Sequence, residues 1–121
     1  MSTTLVHYIL IRRDIPTGAA CAQIVHAAGE SAAGFLWMLP PRTIAVVLGV
    51  RDEKELRRYH KKLVKAEIPI FPIIENEGFL AGQMTAIGIV PIHDREKVRS
   101  VVKKLMPLSS FGVDEDGFMT D

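Results

Sequence analysis

The chain has one cysteine, Cys21, in 121 residues. A single thiol excludes an intramolecular disulfide framework and fits a reducing compartment. No apolar run approaches the ~18 residues that a membrane-spanning helix needs. The N-terminus also lacks a basic segment ahead of an apolar core and cleavage site. The expectation is a soluble, cytoplasmic protein with no membrane partner. There is no P-loop, no Gly-x-Gly-x-x-Gly and no Gly-x-Ser-x-Gly elbow. None of the four histidines stands at a recognised metal-ligand spacing. Neither a metal nor a cofactor is expected, and no internal repeat is present.

What remains is ordinary globular material. Hydrophobic content of 48% with 24% charged residues fits one domain long enough to bury a core. The net charge of +1 conceals an asymmetry. Residues 109–121 hold Asp114, Glu115, Asp116 and Asp121 and no base. Without them, fifteen basic residues face ten acids, and the body stands at about +5. The expected organisation is a single domain over 1–108 and a loose acidic tail over 109–121. A modestly basic body suits a polyanion.

Leu5 to Ile11 is almost wholly apolar, which predicts a strand covered on both faces. A helix is predicted from Thr17 or Gly18 to about Met38, with Thr17 as N-cap and Leu39-Pro40-Pro41 as the stop. Its packed face of Ala20, Ile24, Ala27, Ser31 and Phe35 is mostly small, allowing close approach to a sheet. Thr43–Val50 is a second apolar strand. Asp52 caps a helix over Glu53–Ala66 with Leu56, Tyr59 and Leu63 inward and a rail of Lys54, Arg58, Lys61 and Lys65 outward. Ile70–Ile74 is a short strand, Glu75–Gly78 a loop and Gln83–Val90 a strand closed by Pro91. Asp94 caps a last helix over Arg95–Leu105, whose outward residues are Lys97, Arg99, Lys103 and Lys104. The order β-α-β-α-β-β-α, with helical crossovers and one short link, predicts a three-layer α/β sandwich around a four-stranded mixed sheet.

Arg12 to Ala28 is the stretch where chemistry concentrates. It joins a strand's carboxyl end to a helix start, a place where open α/β folds bind ligands. Ala19, Gln23, His26 and Glu30 share one helix face. That face begins at a turn whose backbone N–H groups favour anions. A glutamine can donate and accept hydrogen bonds, and a histidine can shuttle protons near neutral pH. Parity puts Arg12 and Arg13 on opposite sides, so one of them at most enters a site there.

Gly18-Ala19-Ala20-Cys21-Ala22-Gln23-Ile24-Val25-His26-Ala27 resembles the first-helix motif of the type II peptidyl-tRNA hydrolases, Gly-Lys-x-Ala-Ala-Gln-x-x-His-Ala. Arg12-Arg13-Asp14-Ile15 resembles the Arg-x-Asp-Leu strand end before it. Gly82 to Pro91 resembles the family's Gly-Thr-x-Thr strand. The resemblance covers roughly residues 5–106. It implies a mixed-sheet α/β fold, a cytoplasmic homodimer and cleavage of the ester joining a peptide to the tRNA 3′ end. Gln23, His26 and Thr85 match motif positions. Ala19 stands where the motif has lysine, as in the peptidyl-tRNA hydrolase domain-containing subgroup, and Gln83 where it has the first threonine. The family's Asp-Ala-Gly loop reads Glu75-Asn76-Glu77-Gly78, so its acid aligns with Glu75, Asn76 or Glu77.

The expected catalytic set is Gln23, His26, Glu77 and Thr85, with Glu75 as the other acid of the loop. The expected substrate contacts are Thr17, Gly18, Ala19 and Gln83 at the site and Arg58, Lys61 and Lys65 on the rail, with Arg13 as the cation nearest the missing lysine. Two other readings stay open: a tRNA- or RNA-binding module without catalysis, and a dimeric interaction protein.

Overall fold

The computed structural model describes residues 4–35 and 42–108. Strand β1, Val6–Arg12, is buried along all seven residues. Its alternation splits the core in two. Val6, Tyr8 and Leu10 join one cluster, and Ile9 and Ile11 join the other. Such a strand needs cover on both faces, and the helices supply it. Helix α1, Thr17–Ala33, packs on the Ile9–Ile11 side. Helices α2, Glu53–Lys65, and α3, Arg95–Val102, pack on the other.

Around β1 lie β2, Ile44–Val50, β3, Ile70–Ile74, and β4, Met84–Ile89. A fifth strand, β5, Met106–Pro107, completes the sheet. The order is β3-β4-β1-β2-β5. β1 and β2 run parallel, and the other pairs are antiparallel. A short 3₁₀ turn, Gly78–Leu80, precedes β4.

The expected four-stranded sheet and its β-α-β-α-β-β-α order are therefore corrected to five strands, with the 3₁₀ turn before the fourth. β5 has two exposed residues, one of them proline, and two residues show no periodicity. Long-range pairing makes it: Met106 faces Gly49 and Pro107 faces Leu48. The next N–H, of Leu108, donates to the Val47 carbonyl at 2.8 Å. An edge strand tolerates a proline that a central strand would not. The tail expected over 109–121 lies outside the described residues.

Helix ends follow their local chemistry. Asp52 Oδ1 accepts the Glu55 N–H at 2.9 Å, which satisfies one of the open donors at the start of α2. That bond holds the Asp52 carboxyl below its ordinary range. Leu56, Tyr59 and Leu63 are all buried, each worth about 1.5–3 kcal/mol relative to exposure. α1 takes Pro16, not Thr17, as its N-cap residue, and it ends at Gly34 rather than near Met38. The Leu39-Pro40-Pro41 stop lies outside the described residues. α3 begins after Asp94, whose side chain makes no capping bond, and ends at Val102 rather than Leu105.

α1 lies unusually close to the sheet at Gly88. A Cβ there would sit 2.3 Å from the Ala27 carbonyl oxygen and 2.5 Å from Ser31 Oγ. Ser31 Oγ donates to that same carbonyl at 2.6 Å and meets His7 Nε2 at 2.7 Å. With the hydroxyl proton committed to Ala27, the ring nitrogen is the donor.

Burial pushes the His7 imidazole below its ordinary value of 6.5, so the folded state favours the neutral ring. This contribution to stability is complete above pH 6.5 and is lost as pH falls below it. The expected outcome is a melting midpoint that drops between pH 7 and 5, with a smaller drop in His7→Gln. Scanning calorimetry across that range measures it. No helix among the described residues is long and apolar enough to cross a membrane.

Candidate active site

Three side chains from three elements meet on the α1 side of the sheet. Gln23 Nε2 donates to Glu75 Oε2 at 2.7 Å. Thr85 Oγ1 donates to Gln23 Oε1 at 3.0 Å and lies 3.4 Å from the Ile73 carbonyl oxygen. The carboxylate requires a donor, so it fixes the amide orientation: nitrogen toward Glu75, oxygen toward Thr85. Gln23 and Thr85 are both buried, where an unpaired amide would be costly.

A β-bulge aims Thr85. Ile73 faces Ala86 and Ile74 faces Met84, which leaves Thr85 as the extra residue. Ala86 belongs to the α1-side core, while Met84 and Ile87 belong to the other. Counting back from Ala86, strict alternation would turn Thr85 toward α2. The bulge turns it toward Gln23 instead.

Glu75 is held as an anion. Its carboxyl lies below the usual glutamate value of 4.5, chiefly because Gln23 donates to it. The Asn76 and Glu77 backbone N–H groups add to this through Oε1, and the His26 charge is a smaller influence. At neutral pH Glu75 is thus an acceptor, not an acid. Of the loop residues left open by alignment, Glu75 supplies the carboxylate that meets Gln23. Glu77 supplies a backbone N–H to it.

Arg12 locks the floor of the site. Its guanidinium makes two bonds to Asp14, at 2.8 and 2.9 Å. It also donates to Gln83 Oε1 at 2.7 Å and to the Met84 carbonyl at 3.2 Å. Glu53 accepts the Met84 N–H at 2.9 Å. The end of β1, the start of α2 and the start of β4 are tied together one residue before Thr85. Gln83 is thereby committed to Arg12.

The other expected site residues lie outside this hydrogen-bonded cluster. His26 is exposed, one turn beyond Gln23 on α1. Thr17, Gly18 and Ala19 form the first turn of α1, and Ala19 packs against the α1-side core. Arg13 extends over Gly49 on β2 instead of toward Gln23. Arg58, Lys61 and Lys65 are exposed on α2, across the sheet from α1. A groove of about 400 Å³ between α2 and α3 is lined by Lys62, Lys65, Lys103 and Lys104. Among the described residues no group of three or more His, Cys, Asp or Glu is placed to hold a metal ion.

Glu75 and Arg12 are only partly legible in the sequence. A strand-end arginine beside an aspartate was the signal for the Arg12 clamp. Nothing local distinguishes Glu75 from Glu77, because the choice depends on where the loop meets α1.

Known proteins share the fold and the family of this chain. A solved structure of a protein of unknown function from Agrobacterium tumefaciens strain C58 superposes with a TM-score of 0.59 at 16% identity. The match covers 89% of this chain and 100% of that one. It shows a shared fold. No curated protein sequence matches. The family model for peptidyl-tRNA hydrolase PTH2 matches residues 5–108, which contain every strand and helix described above. The chain belongs to the peptidyl-tRNA hydrolase PTH2 family.

Proposed function

We propose that the ester between a peptidyl group and the tRNA 3′ end is cleaved beside the Gln23–Glu75–Thr85 cluster. Family membership supports a hydrolase acting on peptidyl-tRNA. The observation that carries the location is the ordered chain of bonds from Thr85 through Gln23 to an ionised Glu75. Water adds to the ester carbonyl, giving up its proton to Glu75 or to His26. The ribose oxygen leaves and takes that proton, giving a peptide carboxylic acid and a tRNA 3′-hydroxyl. The backbone N–H groups in the first turn of α1, at Gly18 and Ala19, precede any intrahelical acceptor, lie where the motif begins and suit the developing oxyanion. Ala19 in the lysine position supports reading the chain as one of the subgroup that lacks that cation. It acts in the cytoplasm, where peptidyl-tRNA arises, as a homodimer, a pairing that sedimentation of the purified chain measures.

Purified protein incubated with peptidyl-tRNA is expected to release free tRNA. Salt-sensitive binding without cleavage would overturn the hydrolase assignment. It would favour the RNA-binding module, the reading that Ala19 supports. In either case the basic faces of α2 and α3 hold the phosphates. Affinity is expected to fall with added salt, and Lys61→Gln with Lys65→Gln is expected to reduce the log–log slope by about one per lost phosphate contact. Filter binding across a salt series reads this.

A further inference from the structure

We propose that a second cavity, between β2, α2 and β5, binds a phosphate monoester carrying a flat, weakly polar group, which is the chemistry of a nucleotide. The cavity encloses about 760 Å³, within the range of small-molecule sites. It lies at the β2–β5 side of the sheet, whereas Glu75 and Thr85 belong to the β3–β4 side, with β1 between. None of Gln23, Glu75 or Thr85 lines it, so it is separate from the cluster assigned to ester cleavage.

Its charges do not cancel. Arg13, Arg51, Arg58 and Lys104 face Asp14 and Glu55. Asp14 is already held by Arg12, and Glu55 by Arg51 at 3.7 Å and Arg58 at 3.3 Å. Arg13 and Lys104 are the lining cations left without an acid partner among the described residues. Arg13 is also placed deliberately. Its backbone N–H donates to the Val50 carbonyl at 2.8 Å, and its stem crosses Gly49, where a Cβ would come within 2.7 Å of Arg13 Cδ. Its Nε is buried without a hydrogen-bond partner. A buried guanidinium N–H left unpaired calls for an acceptor, and a phosphate matches that planar fork.

The remaining wall is largely apolar, formed by Gly49, Tyr59, Leu105, Met106 and Pro107. Met106 is 72% exposed, and its thioether suits contact with an aromatic ring. An inorganic anion would use the cations and ignore this wall. A nucleotide uses both: phosphate at Arg13 and Lys104, base against Met106 and Pro107. The same chemistry is offered by a free nucleotide and by one nucleotide of an RNA strand.

Calorimetric titration of the full chain with adenosine 5′-monophosphate, adenosine, inorganic phosphate and a short single-stranded oligoadenylate tests the site. The monophosphate is expected to bind, with adenosine and phosphate each weaker by about tenfold or more. Arg13→Gln and the exposed Lys104→Gln are each expected to weaken it by about tenfold. Arg42→Gln, before the opposite end of β2, is expected to leave it unchanged. If the oligoadenylate binds more tightly than the monophosphate and loses affinity in the same two variants, the source is RNA. Equal binding identifies the free nucleotide. Absence of monophosphate binding, or equal weakening by Arg42→Gln, overturns the proposal and leaves the hydrolase assignment standing.

Discussion

Gln23→Ala is expected to lower kcat on peptidyl-tRNA by about 10²-fold while changing KM little. Gln23 hydrogen-bonds to both Glu75 and Thr85. Its amide donates to a carboxylate and accepts from a hydroxyl, so truncation removes a partner from two groups at once. Glu75 loses the donor that does most to hold it ionised, and Thr85 loses its buried acceptor. The lysine-lined groove proposed to hold tRNA phosphates lies elsewhere, between α2 and α3, so ground-state binding is expected to be spared. Single-turnover cleavage with separately measured tRNA affinity gives the split. A matching rise in KM with unchanged kcat would mean that Gln23 serves binding alone. Gln23→Glu is a useful companion, since it sets a second carboxylate against Glu75 and replaces attraction by repulsion.

Gly88→Ala is expected to destabilise the fold by about 1–3 kcal/mol or more and to reduce cleavage as well. The added methyl would meet the Ala27 carbonyl at 2.3 Å. That oxygen belongs to the helix backbone and cannot swing aside like a side-chain tip. α1 must therefore move away from β4. Gln23 rides on α1 and Thr85 on β4, so the separation opens their 3.0 Å bond. Chemical denaturation measures the first effect. Cleavage assayed well below the melting midpoint measures the second. A destabilised protein with unaltered kcat would show that the two contacts are independent.

Much of this arrangement can be read from residue order, and the exceptions share one cause. α2 is legible because Leu56, Tyr59 and Leu63 repeat at helical spacing behind an aspartate cap. β1 is legible because an unbroken apolar run requires two covered faces. β3 is legible between a proline-bearing entry and an acidic loop. Each of these signals is local. β5 exists only because Met106 and Pro107 meet β2, more than fifty residues earlier in the chain. The bulge at Thr85 comes from a mismatch with β3, which no property of β4 alone encodes. The motif supplied Gln23 and Thr85 as site residues. Their meeting, and the choice of Glu75 over Glu77, depends on how α1 docks on the sheet. Arg13 shows the same limit: alternation separates it from Arg12 but does not say that Gly49 makes room for it.

The two outer strands share a feature with a consequence for self-association. β3 contains Pro72 and β5 contains Pro107. Each puts a residue without an N–H on an open margin of the sheet, where an unbroken row of donors and acceptors would recruit another chain. A strand arriving from a neighbouring molecule finds a gap in the ladder on either side. Growth into a continuous intermolecular sheet, the route toward fibrous aggregates, is blocked at both margins.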